Sequence, residues 1–189
     1  MTIYIVRHGL TKENKQRVFQ GHLPGELSLE GIKQAKKIAK YFKDLQIDLI
    51  LSSDLKRAKD TLLEILKFHE DTPVEYLKEL RERDYGIFSG KPRIRVEDSI
   101  AKKEFESKES MYERSEKLIK KIKESKAKNT LIVGHGSMNK MLITSLLGKG
   151  EEFRKNLPLM ENASISFVRQ EGDSFYLDIF SSLDHLKNL

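Results

Sequence analysis

Three short apolar runs alternate with segments of helical periodicity, and this alternation limits what the chain can fold into. The runs are "IYIV" from Ile3, "IDLIL" from Ile47 and "TLIVG" from Thr130. Short, almost continuously apolar runs are typical of parallel strands that are covered on both faces. We therefore predict an α/β fold, a three-layer α/β/α sandwich with a mostly parallel central sheet.

Apolar residues recur at helical spacing in the segments between these runs. Ser28 is a candidate N-cap for the first long helix, and the "SSD" at 52–54 is a candidate cap for the second. The predicted apolar faces are Ile32, Ala35, Ile38, Ala39, Phe42 and Leu45; Leu55, Ala58, Leu62, Ile65 and Leu66; Met111, Ser115, Leu118 and Ile122; and Met138, Met141, Leu142 and Leu146. "VEYL" is a candidate further strand, and "SISFV" and "SFYLDIF" predict a closing hairpin.

The length of 189 residues predicts one domain, residues 1–189, with a full-sized core. Residues 91–108 are charged and irregular in pattern. We interpret them as a small insertion or lid over one edge of the sheet.

The net charge of +6 comes largely from lysine runs at helical spacing. Such runs are usually the solvated face of an amphipathic helix, and few aromatic residues are interleaved with them, so no nucleic-acid surface is expected. We expect small anionic ligands instead. No apolar run is long enough to cross a bilayer, no secretory signal is apparent and cysteine is absent, which together predict a cytoplasmic protein that does not bind membranes.

Cationic and imidazole side chains follow three of the predicted strands. Arg7 and His8 end the first run, Arg57 lies in the first turn of the helix after "IDLILSSD", and His135 follows "TLIVG". Ligands of open parallel sheets bind beyond the carboxyl ends of the strands, where helix N-termini also favour anions. Each of these features is weak alone, and their convergence on one edge predicts an anion site.

The chemistry of these residue types fits phosphoryl transfer. Neutral imidazole is a good nucleophile for phosphorus near pH 7, and arginine neutralises phosphate oxygens with a planar fork. The same cations keep a neighbouring histidine unprotonated by lowering its pKa. A group that protonates the leaving oxygen is still required.

Five motifs together resemble the histidine phosphatase superfamily, which has the phosphoglycerate mutase-like fold. The resemblance covers nearly the whole chain, in the same order, and is weakest between Lys91 and Lys108. Its motifs are "VRHGLTKENKQRVFQGHLPGELSLEGIKQA", "LSSDLKRAKDT", "LRERDYGIFSG", "LIVGHGSMNK" and "ENASISF" with the final "HL".

The resemblance implies a role for each matching residue. His8 accepts the phosphoryl group, and Glu82 protonates the leaving oxygen and then helps to activate water. Arg7, Arg57 and His135 surround the phosphate. The remaining residues implied at the phosphate-binding pocket are Asn14, Gln20, Gly21 and Gly136. No metal ion and no other cofactor are implied, because arginines neutralise the phosphate.

The resemblance leaves the activity open between a phosphatase and a cofactor-dependent phosphoglycerate mutase. Only 53 residues separate Glu82 from His135, which favours a short lid that admits water, and therefore hydrolysis of a small phosphate ester. Basic residues of the insertion could hold a second anionic group or simply face solvent: Arg93, Arg95, Lys102 and Lys103. A phosphate-binding module without turnover is a third reading.

Other classes of enzyme lack their required spacing. A nucleophile elbow around Ser137 would need glycine where His135 stands. His22, His69 and His185 show no metal-ligand spacing, and we interpret them as surface or structural residues, although His22 lies in the pocket-side loop. A homodimer that pairs a strand of the closing hairpin across its edge is also left open.

Overall fold

A mixed six-stranded sheet is the centre of the fold in the computed structural model, which describes residues 1–187. Its strands are β1 (Thr2–Arg7), β2 (Leu49–Ser53), β3 (Val74–Leu77), β4 (Asn129–Gly134), β5 (Ile165–Glu171) and β6 (Ser174–Ser182). Their order across the sheet is β3-β2-β4-β1-β5-β6. The first four in this order are parallel, while β5 and β6 form the antiparallel closing hairpin, so the predicted sheet is confirmed.

Helices cover both faces of this sheet, which confirms the three-layer sandwich. The helices are α1 (Lys12–Lys15), α2 (Leu29–Phe42), α3 (Lys56–Leu66), α4 (Asp98–Glu104), α5 (Lys108–Ser125), α6 (Gly136–Leu146) and α7 (Glu151–Asn156), with 3₁₀ turns at Lys78–Leu80, Gly86–Phe88 and Asp184–Leu186. On one face α2 and α3 pack against Val6, Ile50 and Val133, and on the other face α5 and α6 pack against Ile5 and Ile132.

The first two long helices, α2 and α3, differ in how their N-termini are capped. Ser28 caps α2 as predicted, since its Oγ accepts the N–H of Gly31 at 3.1 Å. The predicted "SSD" cap of α3 is wrong, because Leu55 occupies the N-cap and makes no side-chain cap bond. Ser53 instead contacts His135, and Asp54 accepts two hydrogen bonds from Arg81, so both side chains are used elsewhere.

The buried face of α2 also differs in part from the prediction. Ile32 is 38% exposed and Leu45 lies beyond the end of the helix, whereas Gly31 and Gln34 are buried. Gln34 Oε1 accepts the backbone N–H of Leu10 at 2.8 Å. The first turns of α2 therefore pack against backbone, which requires a small residue and an amide rather than large apolar side chains.

The 91–108 insertion contains a helix, α4, where the sequence pattern appeared irregular. No residue of α4 itself is buried; Phe105, its C-cap, attaches it to the domain. The Phe105 ring lies 5.1–5.6 Å between centroids from the rings of Tyr85, Phe19 and Phe88. In the part of the chain that the structure describes, no helix has the length and apolarity needed to span a membrane.

Candidate active site

The carboxyl ends of β1, β2 and β4 bring the four predicted phosphate-site residues together. Arg7 ends β1 and pairs with Gly134, the last residue of β4, while His135 is the N-cap of α6. His8, Arg57 and His135 have 2%, 1% and 0% of their surface exposed. The rings of His8 and His135 are 5.1 Å apart between centroids, and Arg57 lies against His8.

His8 is held in one tautomer by its own backbone neighbour. Its Nδ1 lies 2.8 Å from the carbonyl oxygen of Gly9, so Nδ1 carries the hydrogen and Nε2 carries the lone pair. Arg57 donates from Nε to that Nε2 at 3.2 Å. Burial, then the charges of Arg57 and Arg7, hold the pKa of His8 well below its usual 6.5. The imidazole is therefore neutral at physiological pH, with its lone pair directed at an arginine.

Gly9 is required by close packing of backbone against backbone. A Cβ added there would lie 2.6 Å from the carbonyl oxygen of Gly31 in α2. The Gly31 carbonyl belongs to the helix backbone and cannot rotate away, so a larger residue at position 9 would push the His8 loop away from α2. The glycine after His8 thus fixes where the imidazole sits.

Arg57 uses most of its guanidinium to hold the loop before α2. Nη1 donates to the carbonyls of Leu23 at 2.5 Å and Pro24 at 3.3 Å, and Nη2 donates to that of Gly21 at 2.9 Å. Burial, more than neighbouring charges, lowers the pKa of Arg57 to about 10, which leaves it cationic near neutrality. The loop and the arginine therefore fix each other beside His8.

Arg7 and His135 each present a buried nitrogen that has no hydrogen-bond partner among residues 1–187. Arg7 donates from Nη1 to the carbonyl of Met160, but its Nε is unpartnered. His135 uses Nε2 to contact the hydroxyl of Ser53 at 2.8 Å, which leaves Nδ1 unpartnered. Buried polar nitrogens normally find partners, so these atoms are suited to a polar or anionic ligand.

Burial is the main cause of the lowered pKa of both residues. For His135, the charge of Arg57 adds to burial and holds the pKa well below its usual value. For Arg7, burial lowers the pKa, while the carboxylate of Glu82 opposes that shift. His135 is therefore a neutral hydrogen-bonding group at physiological pH.

Glu82 joins the site from the loop after the 3₁₀ turn at Lys78–Leu80, and only 8% of it is exposed. Both of its carboxylate oxygens accept the backbone N–H of Ser137, at 3.1 and 3.2 Å. Oε1 also accepts the N–H of Arg83 at 2.8 Å. Ser137 lies in the first turn of α6, where the helix dipole favours negative charge.

The residues implied at the pocket rim lie around this centre. Asn14 contributes an amide held by Thr11, and Gln20 is buried with its Oε1 unpartnered within the described chain. Gly21 has a φ of +51°, and a Cβ there would lie 2.8 Å from Ser89 Oγ. Gly136 opens α6 beside the Arg7 guanidinium.

The remaining histidines divide as the sequence suggested. His69 is buried and contacts the carbonyl of Phe42 at 2.9 Å, which is a structural role. His185 is stacked near Tyr41. His22 donates from Nε2 to the carbonyl of Glu82 at 2.9 Å, so it connects the pocket-side loop to the acid. Within residues 1–187 no three acidic or histidine side chains cluster closely enough to hold a metal ion.

The basic residues of the insertion differ in the contacts they make with the rest of the domain. The Arg93 guanidinium stacks 5.8 Å from the Phe19 ring, and its backbone N–H donates to the carbonyl of Arg17. Its charge contributes, after burial, to the lowered pKa of Arg7. Arg93 is exposed, as are Arg95, Lys102 and Lys103.

Sequence reasoning missed several residues that support these groups. The sequence pattern predicts a helix cap at Ser53, which contacts His135 instead, and it suggests only a nucleophile role for Ser137, whose backbone N–H binds Glu82. Asn162 contacts the backbone of His8 and the side chain of Asn14. The only signal for Asn162 was its place in "ENASISF", which carried no chemistry of its own.

Comparison with known proteins gives matches along nearly the full chain. The profile of the histidine phosphatase superfamily (branch 1) matches residues 3–182. A Hydrogenobacter thermophilus protein, provisionally named a phosphoserine phosphatase, is 30% identical over 201 aligned residues, covering 99% of this chain and 98% of its own. The Bacillus subtilis phosphatase PhoE, named as uncharacterized, is 30% identical over 192 residues, covering 97% and 96%.

A solved structure shares the fold. The mycobacterial glucosyl-3-phosphoglycerate phosphatase in complex with VO3 superposes with a TM-score of 0.86 and is 26% identical. The match covers 96% of this chain and 99% of that one.

Proposed function

Because the chain belongs to the histidine phosphatase superfamily (branch 1), we propose that it is a phosphomonoesterase that hydrolyses a small phosphorylated metabolite through a phosphohistidine at His8. The relatives are named phosphatases, which supports phosphatase activity for this chain. The finer proposal concerns the mechanism, which needs no metal ion because two arginines neutralise the phosphoryl group and a neutral histidine donates a hydrogen bond to it.

The first half-reaction moves the phosphoryl group to the protein. The lone pair on His8 Nε2 attacks phosphorus, and the bond from phosphorus to the leaving oxygen breaks as the nitrogen–phosphorus bond forms. Glu82 transfers its proton to that oxygen, so the product leaves as a neutral alcohol. Arg7 and Arg57 balance the negative charge on the phosphoryl oxygens, and neutral His135 donates a hydrogen bond to one of them.

The second half-reaction regenerates the enzyme. The Glu82 carboxylate accepts a proton from a water molecule as that water attacks phosphorus. The nitrogen–phosphorus bond breaks, inorganic phosphate leaves, and its electron pair returns to His8 Nε2. Glu82 is then protonated again for the next substrate.

One observation carries the proposal: a buried, neutral His8 has its lone pair 3.2 Å from Arg57 Nε, beside a second neutral histidine. A histidine with a purely structural role does not need two neighbouring arginines, because their charges oppose its protonation. The same arrangement suits a nucleophile that must stay unprotonated beside an anion.

Trapping of the phosphoenzyme tests the mechanism. Wild-type protein mixed with a ³²P-labelled phosphate ester and quenched within milliseconds should carry acid-labile, base-stable label, and His8→Ala should carry none. Hydrolysis of 4-nitrophenyl phosphate should continue in EDTA. Label retained on His8→Ala, or turnover without any trapped label on wild type, would count against the phosphohistidine route; loss of hydrolysis in EDTA would count against metal independence.

A phosphoglycerate mutase is the second candidate, favoured by one observation. The Arg93 guanidinium lies over the Phe19 ring and its charge acts on Arg7, so Arg93 could hold a second acidic group of a phosphoglycerate. Incubation with 3-phosphoglycerate separates the two activities, since a phosphatase releases inorganic phosphate and a mutase exchanges the 2- and 3-isomers. A binding module without turnover would do neither.

A further inference from the structure

The segment from Met160 to Ala163, just before β5, lies directly behind the nucleophile. Met160 accepts a hydrogen bond from Arg7, and Ala163 donates its backbone N–H to the carbonyl of His8 at 3.0 Å. Asn162 lies between them and directs its side-chain amide at the same turn. This segment therefore contacts the chain on both sides of the Arg7–His8 peptide.

The amide nitrogen of Asn162 contacts three oxygen atoms. Nδ2 lies 3.2 Å from the His8 carbonyl, 3.4 Å from the Gly9 carbonyl and 3.1 Å from Asn14 Oδ1. All three are acceptors, so Nδ2 is the donor in each contact. One NH₂ group thus ties the nucleophile's own peptide, the following peptide and a pocket side chain together.

The Gly9 carbonyl is the atom that fixes the tautomer of His8. It accepts the hydrogen on His8 Nδ1 at 2.8 Å, which leaves the lone pair on Nε2. Asn162 Nδ2 donates to the same carbonyl oxygen, while Gln34 accepts the N–H of the same peptide unit, which belongs to Leu10. Motion of the Gly9 peptide would free Nδ1 and let the lone pair exchange between the two ring nitrogens.

Asn14 is oriented by the same contact. Its Oδ1 accepts from Thr11 N, Thr11 Oγ1 and Asn162 Nδ2. Three donors at the oxygen assign the oxygen to that side, so the NH₂ group of Asn14 points the other way. An amide that donates suits an anion, whereas a flipped amide would present oxygen.

The backbone at this point adopts a conformation that side chains seldom favour. Ala163 has a φ of +61°, in the left-handed region, which costs an alanine about 1 kcal/mol. Strain of this kind persists where surrounding contacts over-determine it. Here it lets the Ala163 N–H and the Asn162 amide reach one carbonyl together.

We infer that Asn162 is a positioning residue that fixes the tautomer of His8 and the amide orientation of Asn14, a role that builds on the proposed phosphatase mechanism. It touches no reacting atom. Its effect reaches the reaction through the Gly9 peptide and through Asn14.

Asn162→Asp is the sharpest variant, because it keeps the shape and puts an acceptor where three acceptors meet. We expect kcat/KM for 4-nitrophenyl phosphate to fall about 100-fold, the cost of a misplaced reacting group, and Asn162→Ser to lose about tenfold. Asn156→Asp, an exposed asparagine at the end of α7, is the matched control for the charge change and should stay within about twofold.

The ¹⁵N NMR spectrum of the His8 ring distinguishes positioning from general damage to the fold. Wild type should show hydrogen on Nδ1 alone, and the Asn162 variants should show both tautomers. This measurement needs no turnover, so it is independent of the proposed activity. If the wild-type protein hydrolysed no phosphate ester, the proposed function would be wrong, but the tautomer of His8 could still be measured. A folded Asn162→Asp with wild-type spectra would overturn the inference.

A double-mutant cycle keeps the test decisive should Asn162→Asp fail to fold. Asn14→Ala should lower kcat/KM in both backgrounds, but the fold loss in the Asn162→Ser background should be at least about fivefold smaller than in wild type. The reason is that substitutions of neighbours in one hydrogen-bond network do not have additive effects. Additive losses, with thermal midpoints unchanged, would overturn the coupling between Asn162 and Asn14.

Discussion

Ser137 donates its backbone N–H to both carboxylate oxygens of Glu82, at 3.1 and 3.2 Å. The donor belongs to the first turn of α6, the helix whose N-cap is His135. One helix terminus therefore sets the position of the candidate acid and of the second histidine. Movement of α6 would displace both groups together.

Glu82→Gln should affect substrates according to their leaving group. The amide keeps the shape and still accepts from Ser137, but it has no proton of suitable acidity to give. We expect phosphoenzyme formation from an alkyl phosphate such as glycerol 3-phosphate to slow about 10²–10⁴-fold, and formation from 4-nitrophenyl phosphate to slow much less, because nitrophenolate leaves unaided. Rapid-quench labelling measures this step for both substrates and excludes the later attack of water, which Glu82 also assists and which the two substrates share.

The control for this variant is Glu116→Gln, an exposed glutamate on α5. This variant should react with both substrates at the wild-type rate. Equal losses on the two substrates with Glu82→Gln would argue that Glu82 binds or supports the site without acting as the acid.

Arg57→Lys should disable the site although the charge is kept. Lysine cannot reach His8 and the carbonyls of Gly21 and Leu23 at once, since it lacks the planar fork. We expect kcat to fall about 10²–10³-fold, comparable with the loss of one preorganised charge-stabilising donor. Rapid-quench measurement of phosphoenzyme formation gives the effect on the first step alone.

Arg154→Lys is the matched control, because Arg154 pairs with Glu151 in α7, away from His8. Its activity should match wild type. A mild effect of Arg57→Lys, similar to that of the control, would show that charge alone suffices at position 57.

His8 and His135 should make the free energy of unfolding fall in acid. Their pKa values lie well below 6.5 in the folded protein, so the unfolded chain binds more protons as the pH drops below about 6.5. The free energy of unfolding should then fall by up to about 1.4 kcal/mol per pH unit for each histidine, until the folded pKa is reached. Urea unfolding at pH 7.5, 6.5 and 5.5 measures this slope.

His8→Gln should flatten that slope by up to about 1.4 kcal/mol per pH unit, since one of the two groups is removed. Phosphoenzyme formation in wild type should persist below pH 6.5, because His8 remains neutral there. An unchanged slope in the variant would mean that His8 titrates alike in the folded and unfolded chain.

Gly9→Ala should move the nucleophile. The added Cβ would meet the Gly31 carbonyl at 2.6 Å, a contact between two backbone segments that cannot yield by rotating a side chain. We expect the free energy of unfolding to fall by about 1–3 kcal/mol and kcat to fall at least about tenfold. Denaturant unfolding and steady-state kinetics test the two effects.

Gly150→Ala is the matched control, because nothing lies within 4 Å of a Cβ at that position and its φ is not positive. It should cost less than about 1 kcal/mol, as expected for a changed N-cap residue. Equal costs at the two glycines would show that the α2 contact does not matter.

The sequence predicted the sheet, and the meeting of the candidate site residues at one of its edges, for a physical reason. Buried strands are recognised in a sequence as continuous apolar runs, and parallel strands have their carboxyl ends at one edge of the sheet. The sequence alone therefore predicts that Arg7, Arg57 and His135 lie at the same edge. Glu82 needed the resemblance, since nothing local shows that its loop folds back onto α6. The group that binds its carboxylate is the backbone N–H of Ser137, and a backbone N–H cannot be recognised from residue type.

Supporting residues were harder to find because their partners are distant in the chain. Asn162 lies 154 positions from His8, and Ser53 lies 82 positions from His135. A serine before a helix resembles a cap whether or not it acts as one, and only the fold decides between the local and the distant partner. The α4 helix was missed because it buries nothing and so has no apolar periodicity.

Arg93 should select substrates that carry a second acidic group. Its guanidinium lies over the Phe19 ring, and its charge contributes to the lowered pKa of Arg7. 3-Phosphoglycerate and glycerol 3-phosphate form a matched pair, because they differ by a carboxylate in place of a hydroxymethyl group. Arg93→Gln should raise KM about three- to fivefold for the first and leave the second within about twofold, the scale of one exposed ion pair. Arg95→Gln, which changes an equally exposed arginine of the same insertion, should change neither value. Equal shifts for both substrates would show that Arg93 acts on the phosphate or only on the general field, and unchanged values would place it with the solvated surface.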